Sequence, residues 1–180
     1  PFAPDSERVM DSEQALNLPE VPESLLLVGG GYIGLELGQV YDALGAEVSV
    51  VEMMPGLLPG ADRDLVEVLS KRLKKQFNRT ILETKVAAMD EAEDGIKVTF
   101  DGDDAPEPMT YSRVLMAVGR KPDVSGCGLE NTAAKIDDNG FVEVDGQRRT
   151  AEASVFAVGD ITGQPMLAHK ATYEAKIAVK

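Results

Sequence analysis

The sequence predicts an α/β fold of three layers: a parallel sheet with helices on one face and a small antiparallel β-meander on the other. Three observations carry this. A short apolar run, Leu25-Leu26-Leu27-Val28, passes through glycines into a helical pattern and then into a second apolar run, Val48-Ser49-Val50-Val51, the order of a strand–helix–strand unit with parallel strands. Between residues 80 and 118 the apolar period changes from helical to alternating, as in antiparallel strands. Within that stretch Arg113 to Val118 is continuously apolar after its first residue and ends in Gly119, which reads as a strand buried on both faces.

The glycines after the first strand set the expectation of function. Gly29, Gly31 and Gly34, within Gly29-Gly30-Gly31-Tyr32-Ile33-Gly34, fit G-x-G-x-x-G. The first allows the tight turn, the second lets a pyrophosphate approach the backbone, and the third lets helix and strand pack closely. Free N–H groups at the helix start then face the phosphates. Ile33, Leu35, Leu37, Val40, Tyr41 and Leu44 predict the apolar face of that helix, closed by Gly45.

The second strand ends in Glu52, about 20 residues beyond the turn, where this kind of unit places an acid on the adenine ribose hydroxyls. A 2′-phosphate would be repelled there, and Met53, Met54 and Pro55 supply no cation to neutralise it. NAD is therefore favoured over NADP.

Before this unit, residues 1–22 are acidic and punctuated by proline, a linker arm with at most a helical turn around Ser12 to Leu16. After it, Met53 to Gly60 is a Pro/Gly loop, and Asp62 to Phe77 predicts a helix with Leu65, Val68, Leu69, Leu73 and Phe77 on one face. Its acids fall near the start and Lys71, Arg72, Lys74 and Lys75 near the end, as the helix dipole favours. The basic run needs no nucleic acid to account for it.

Ile81 to Val86, Ile96 to Phe100 and Tyr111 to Val118 are the expected strands of the next stretch. The acidic segments between them, Asp90 to Gly95 and Asp101 to Pro108, lack the ligand spacing of a calcium loop and read as solvated turns. Further on, Asp137-Asp138-Asn139-Gly140 predicts a turn into a strand at Phe141 to Val144. Ser154 to Val158 predicts a buried strand ending in Gly159-Asp160, and a final helix opens around Met166 to Lys170.

Composition narrows the class. With 180 residues, 43% hydrophobic and 27% charged, the chain can bury one good core. A net charge of -13 argues against nucleic acid and anionic membrane surfaces as partners. No apolar run approaches the ~20 residues of a membrane span and no signal-peptide pattern opens the chain, so a soluble, cytoplasmic protein is expected. Cys127 stands alone, which leaves no cysteine pair for redox work and no cysteine-rich metal site. The start at Pro1 and the stop at Lys180 inside a helical pattern read as cuts from something longer.

Taken together, Gly29 to Glu36, Val51-Glu52, Ala117 to Pro122, Val155 to Asp160 and Pro165 to Ala171 resemble the dihydrolipoamide dehydrogenase family, a branch of the class I pyridine nucleotide-disulfide oxidoreductases, over nearly all of the chain. Met166 to Lys170 and the run Pro59-Gly60-Ala61-Asp62-Arg63-Asp64 look like that branch in particular. The resemblance implies a Rossmann-like FAD/NAD(P)-binding domain at 23–150, a linker arm from the FAD domain at 1–22, and a truncated return of the FAD domain at 151–180. It implies that Gly29, Gly30, Gly31, Tyr32, Ile33 and Gly34 hold the NAD pyrophosphate and Glu52 the ribose. Val86, Ala117, Val118, Gly119 and Arg120 would line the adenine and nicotinamide sides, with Glu36 near nicotinamide and flavin. Asp160 would close on the ribitol and pyrophosphate of FAD, and Met166, Leu167, Ala168 and His169 on the flavin ring.

For the full-length parent the same resemblance implies oxidation of dihydrolipoamide on a lipoyl carrier domain, with electrons passing through a redox disulfide and FAD to NAD. A homodimer serving a 2-oxo acid dehydrogenase complex is implied. No catalytic residue falls in this stretch: the redox cysteines and the His/Glu acid–base pair belong to missing parts, and the fragment alone is expected to be inactive. The alternatives are another NAD(P)H disulfide reductase or a non-catalytic NAD-binding module.

Overall fold

A computed structural model describes residues 3–18 and 20–180; Pro1, Phe2 and Pro19, part of the expected arm, lie outside the described residues. The chain divides into two compact units, Pro1–Gly119 and Arg120–Lys180. This is a division by packing, distinct from the division by cofactor expected near residue 150.

In the first unit β1 (Val9–Met10), α1 (Ser12–Leu16), β2 (Ser24–Val28), α2 (Tyr32–Ala43), β3 (Glu47–Val51), α3 (Arg63–Gln76) and β4 (Arg79–Ile81) precede three strands, β5 (Lys85–Ala92), β6 (Gly95–Asp101) and β7 (Met109–Tyr111), and then β8 (Arg113–Met116). Five strands form a parallel sheet in the order β1-β8-β2-β3-β4, and β5-β6-β7 form an antiparallel sheet. Because side chains alternate along a strand, β2 feeds two cores. Leu25 and Leu27 join Val48, Val50, Leu115 and the helical residues Ala15, Leu35, Tyr41, Val66 and Leu73. Leu26 and Val28 join Val51, Val114 and the meander residues Val86, Met89, Ile96, Val98 and Phe100. That is the three-layer α/β fold: helices, parallel sheet, meander.

The N-terminal arm does more than connect. β1 pairs in parallel with β8, Met10 is buried, and Asp11 caps α1 through a reciprocal pair of hydrogen bonds with Gln14 at 2.8 and 2.9 Å. Proline and acid content concealed this strand, since two residues carry no period.

Both long helices differ from the expected faces. In α2 the sheet side is Gly34, Leu35, Gly38 and Tyr41, while Val40 and Leu44 are exposed. A side chain at Gly38 would run into Leu27 and lie 3.0 Å from Phe77 Cζ, so the helix approaches the sheet through its glycines. In α3 Val66, Leu73 and Phe77 are buried with Leu69 packed beside them, whereas Leu65 and Val68 are 68% and 71% exposed. Positions 66, 69, 73 and 77 form the stripe; at ~100° per residue Leu65 and Val68 fall outside it.

The loop before α3 is organised by Arg63, which explains part of the Pro59-to-Asp64 run. Its guanidinium donates to the carbonyls of Leu57 (2.9 Å), Leu58 and Ala61 (2.8 Å). Leu57, carried by this loop, is 1% exposed.

The second unit holds two 3-10 turns, Leu129–Asn131 and Gly159–Thr162, and α4 (Ala168–Ala178). The strands expected at Phe141 to Val144 and Ser154 to Val158 are absent. Each place is marked by one isolated bridge, Ile136 with Val142 and Arg149 with Phe156. The reason is local competition for the backbone. Asp137 Oδ1 accepts the N–H groups of Asn139 and Phe141 at 2.9 and 2.8 Å, and Asp145 Oδ1 those of Gln147 and Arg149 at 2.8 and 2.9 Å. Phe156, expected to be buried, is 42% exposed with the Arg149 guanidinium 5.6 Å over its ring.

Candidate functional site

The parallel strands deliver three C-terminal ends side by side. β2 lies between β3 and β8, so the chain leaves β2 toward one side and returns on the other. The crevice beyond strand ends at such a reversal is where open α/β sheets hold ligands. Here Gly29 N–H donates to Val51 O (2.9 Å) and Ala117 N–H to Val28 O (2.8 Å), extending the ladders past the strands to the turn.

At the turn each motif glycine meets a different physical requirement. Gly29 has φ +105° and a Cβ there would sit 2.5 Å from Ala117 O. A Cβ on Gly34 would sit 2.9 Å from Gly29 O and 3.2 Å from Ala117 Cβ, so no side chain fits between helix and strand end. Gly31, the α2 N-cap, has nothing within 4 Å of its missing Cβ and offers the helix no side-chain cap. Its neighbourhood is open space in front of backbone N–H groups, the shape an anion requires.

Glu52 is buried, 7% exposed, and its carboxylate is tied to the turn. Oε2 accepts Gly30 N–H at 2.6 Å and Oε1 accepts Met54 N–H at 2.8 Å. An ionised carboxylate has about four acceptor positions, so two remain for donors such as ribose hydroxyls.

A cavity of about 430 Å³ opens beside this acid. It is lined by Val28, Gly29, Val51, Glu52 and Met53, by Thr84, Lys85 and Val86 at the start of β5, and by Val118 after β8. Apolar walls with one acid at the rim suit a flat aromatic base joined to a hydroxylated sugar. Of the residues singled out in the sequence, the structure brings Gly29, Glu52, Val86 and Val118 around this cavity. Gly30, Gly31, Tyr32, Ile33 and Gly34 lie on the adjoining turn and first turn of α2, and Glu36 is exposed one turn further on. Ala117 backs Gly34, and Gly119 is exposed. Met53, Thr84 and Lys85 went unrecognised as lining residues, because only the pairing of sheet and meander brings β5 to the strand ends. Lys85 is a cation on the wall that the run after Glu52 did not reveal, and its Nζ is paired with Asp101 at 2.9 Å.

The remaining expected residues belong to the second unit. Arg120 and Asp160 form an ion pair at 3.1 Å, Met166 is buried, Leu167 is the α4 N-cap, and Ala168 and His169 are exposed. Cys127 is exposed. Sequence reading passed over Glu174, only 3% exposed, which meets both Arg148 and Lys170 within the same unit. Its carboxyl is held below the usual range. Burial alone would push it up, but the Gly159 N–H, the Thr162 hydroxyl and Lys170 outweigh burial.

Among the described residues no helix is long and apolar enough to cross a membrane, and no group of three or more His, Cys, Asp or Glu side chains could hold a metal ion.

Fold and glycine turn together define a dinucleotide-binding α/β domain. The sequence matches the pyridine nucleotide-disulphide oxidoreductase family over residues 2–175, and the chain belongs to that family. It is similar to proteins named dihydrolipoyl dehydrogenase from Vibrio parahaemolyticus, 49% identical, and Haemophilus influenzae, 45% identical, in both cases over 100% of this chain. The chain spans 38% of the length of each. Among solved structures, LpdA from Mycobacterium tuberculosis is 31% identical with a TM-score of 0.83, over 98% of this chain and 38% of that one. RclA, an HOCl-induced flavoprotein disulfide reductase from Escherichia coli, is 27% identical with a TM-score of 0.83, over 98% of this chain and 41% of that one.

Proposed function

We propose that this chain is the NAD-binding part of a dihydrolipoyl dehydrogenase. In that enzyme dihydrolipoamide would be oxidised and electrons passed through a redox disulfide and FAD to NAD. The observation that carries the reading is the joined turn and acid: open space at Gly31 before the α2 N–H groups, with the buried Glu52 carboxylate fastened to Gly30 beside an apolar cavity. The similarity to two curated dihydrolipoyl dehydrogenases at 49% and 45% identity, against 27% for RclA, favours this branch over another disulfide reductase.

In this reading residues 23–150 form the NAD domain, 1–22 the arm from the FAD domain, and 151–180 the return into it. Gly29 to Gly34 hold the pyrophosphate and Glu52 the ribose, while Val86 and Ala117 to Arg120 line the adenine and nicotinamide sides. Glu36 lies near nicotinamide and flavin, and Asp160 with Met166 to His169 face the flavin. When bound, NAD supplies hydride acceptance and FAD the relay of electrons; the chain's own residues bind, orient and exclude water. The substrate would be dihydrolipoamide on a lipoyl carrier domain of a 2-oxo acid dehydrogenase complex, the parent a cytoplasmic homodimer.

Calorimetric titration of the purified chain with NADH and NADPH tests the reading. Clear preference for NADH is expected, and equal or tighter NADPH binding would refute the role given to Glu52.

A further inference from the structure

Two charges on α4, Glu174 buried and Lys170 largely covered, are not placed as the helix alone would favour. Lys170 lies in its first turn, the reverse of what the macrodipole favours, and Glu174 lies one turn further on. A Lys-to-Glu order at i, i+4 is also the weaker orientation of such a pair. Yet their side chains are only 14% and 4% exposed, and burying ions is costly unless each is fully bonded. Helix stability does not explain the pair.

What the two side chains grip does explain it. Glu174 Oε2 accepts the Gly159 N–H at 2.7 Å and lies 3.0 Å from Thr162 Oγ1, while its Oε1 meets Arg148 Nη1 at 3.1 Å. Lys170 Nζ donates to the carbonyls of Gly159 and Gly163, both at 2.8 Å. The Gly159–Gly163 turn is thus read at its N–H by an anion and at its carbonyls by a cation from one helix face. A third hold comes from Val142 N–H, which donates to Ile161 O at 2.8 Å. Every one of these holds flanks Asp160, whose carboxylate, 35% exposed, reaches outward to Arg120.

We propose that Lys170 and Glu174 are positioning residues for Asp160: their opposite charges lock the Gly159–Gly163 turn so that the Asp160 carboxylate is presented in one fixed place to a flavin dinucleotide. This rests on the reading of Asp160 as a flavin contact. A carboxylate on a free turn would have to be ordered on binding, whereas one on a clamped turn is ordered beforehand.

The test uses the full-length protein containing this segment, stripped of flavin and titrated with FAD by fluorescence quenching. E174Q and K170M are each expected to weaken FAD binding at least tenfold, and K170R to retain most of it. D160N should weaken binding similarly, and E174Q/D160N should be no weaker than D160N alone, because the clamp acts through that carboxylate. Additive losses would reduce the clamp to a purely structural role and overturn the proposal. Normal FAD affinity in E174Q with weakened D160N would overturn it while leaving Asp160's assignment standing. Unchanged affinity in D160N would remove the flavin reading and the proposal with it. Should E174Q fail to fold, T162V, which keeps both clamp charges but deletes the Thr162 hydroxyl with its contacts to Glu174, Lys170 and the Gly159 carbonyl, serves instead: a loss that vanishes on adding D160N supports the clamp, and parental affinity rejects it.

Discussion

Glu52 and Gly30 are joined by a 2.6 Å hydrogen bond from backbone to buried carboxylate, so the acid at the end of β3 also holds the glycine turn at the end of β2. The acid and the turn are one unit. Glu52→Ala should therefore weaken NADH more than loss of ribose contacts alone would, by roughly 1–3 kcal/mol per charged hydrogen bond lost. It should also narrow the preference over NADPH by removing the repulsion toward a 2′-phosphate. Parallel calorimetric titrations check this; an undiminished preference would show that Glu52 does not face the ribose.

Gly31 and Gly34 share a motif but should fail differently. Nothing lies within 4 Å of a Cβ at Gly31, so Gly31→Val should leave the melting temperature close to the parent's and abolish NAD binding. Gly34→Val would force a branched carbon against Gly29 O and Ala117 Cβ and should cost roughly 1–3 kcal/mol of stability or more. Thermal melts alongside titrations separate the two, and an unaltered dissociation constant in Gly31→Val would place the ligand elsewhere.

The first half of the chain was legible because its signals are local and periodic. Leu25 to Val28, the glycines and Glu52 each mark a structural position, strand, turn and strand end, within a few residues. The helix faces were harder to read, because Gly34 and Gly38 pack against the sheet although hydrophobicity counts them as nothing. In the second unit Phe141 to Val144 and Ser154 to Val158 looked like strands, but Asp137 and Asp145 capture backbone N–H groups that their ladders would need. Glu174 was invisible for a different reason: a lone glutamate in a helix reads as surface, and only the fold brings Gly159, Arg148 and Lys170 around it.

The Lys85–Asp101 pair gives a test of selectivity at the other wall of the cavity. Lys85 lines the cavity while its Nζ is engaged 2.9 Å from Asp101. Asp101→Asn should release that cation and improve NADPH binding several-fold with little change for NADH, since the pair itself is exposed and contributes under about 1 kcal/mol to folding. The gain should shrink as salt is raised. No change in NADPH affinity at low salt would mean that Lys85 points away from the sugar.

Acid should loosen the second unit through Glu174. Its folded pKa lies below the ordinary 4.5, so the carboxylate's contribution is fully present above about that pH and is lost as pH falls through the depressed value. Glu174→Gln should remove the contribution at neutral pH, destabilising by roughly 3–5 kcal/mol because Lys170 and Arg148 are left without their anion. The gap between parent and variant should begin to narrow below about pH 4.5 and close once pH has fallen through the depressed value. Hydrogen exchange of the Gly159 amide, followed from pH 7 to pH 3, reads this directly, and a constant gap across that range would assign the stability to another group.

The isolated 180-residue chain should purify colourless and reduce no dye with dihydrolipoamide. Its residues assigned to flavin are Asp160 and Met166 to His169, one short run, and a dinucleotide is held firmly only where a concave pocket encloses most of its surface. In this chain Asp160 is occupied by Arg120 at 3.1 Å, and His169 is exposed. The 430 Å³ cavity beside Glu52 belongs to the first unit and carries the acid that suits a ribose. NADH should therefore bind with FAD absent, a separation that absorbance at 450 nm and NADH fluorescence measure on one sample. Stoichiometric flavin in the purified chain, or turnover of dihydrolipoamide by it, would mean that a complete flavin pocket lies within these residues and that the assignment of 151–180 as only one wall is mistaken.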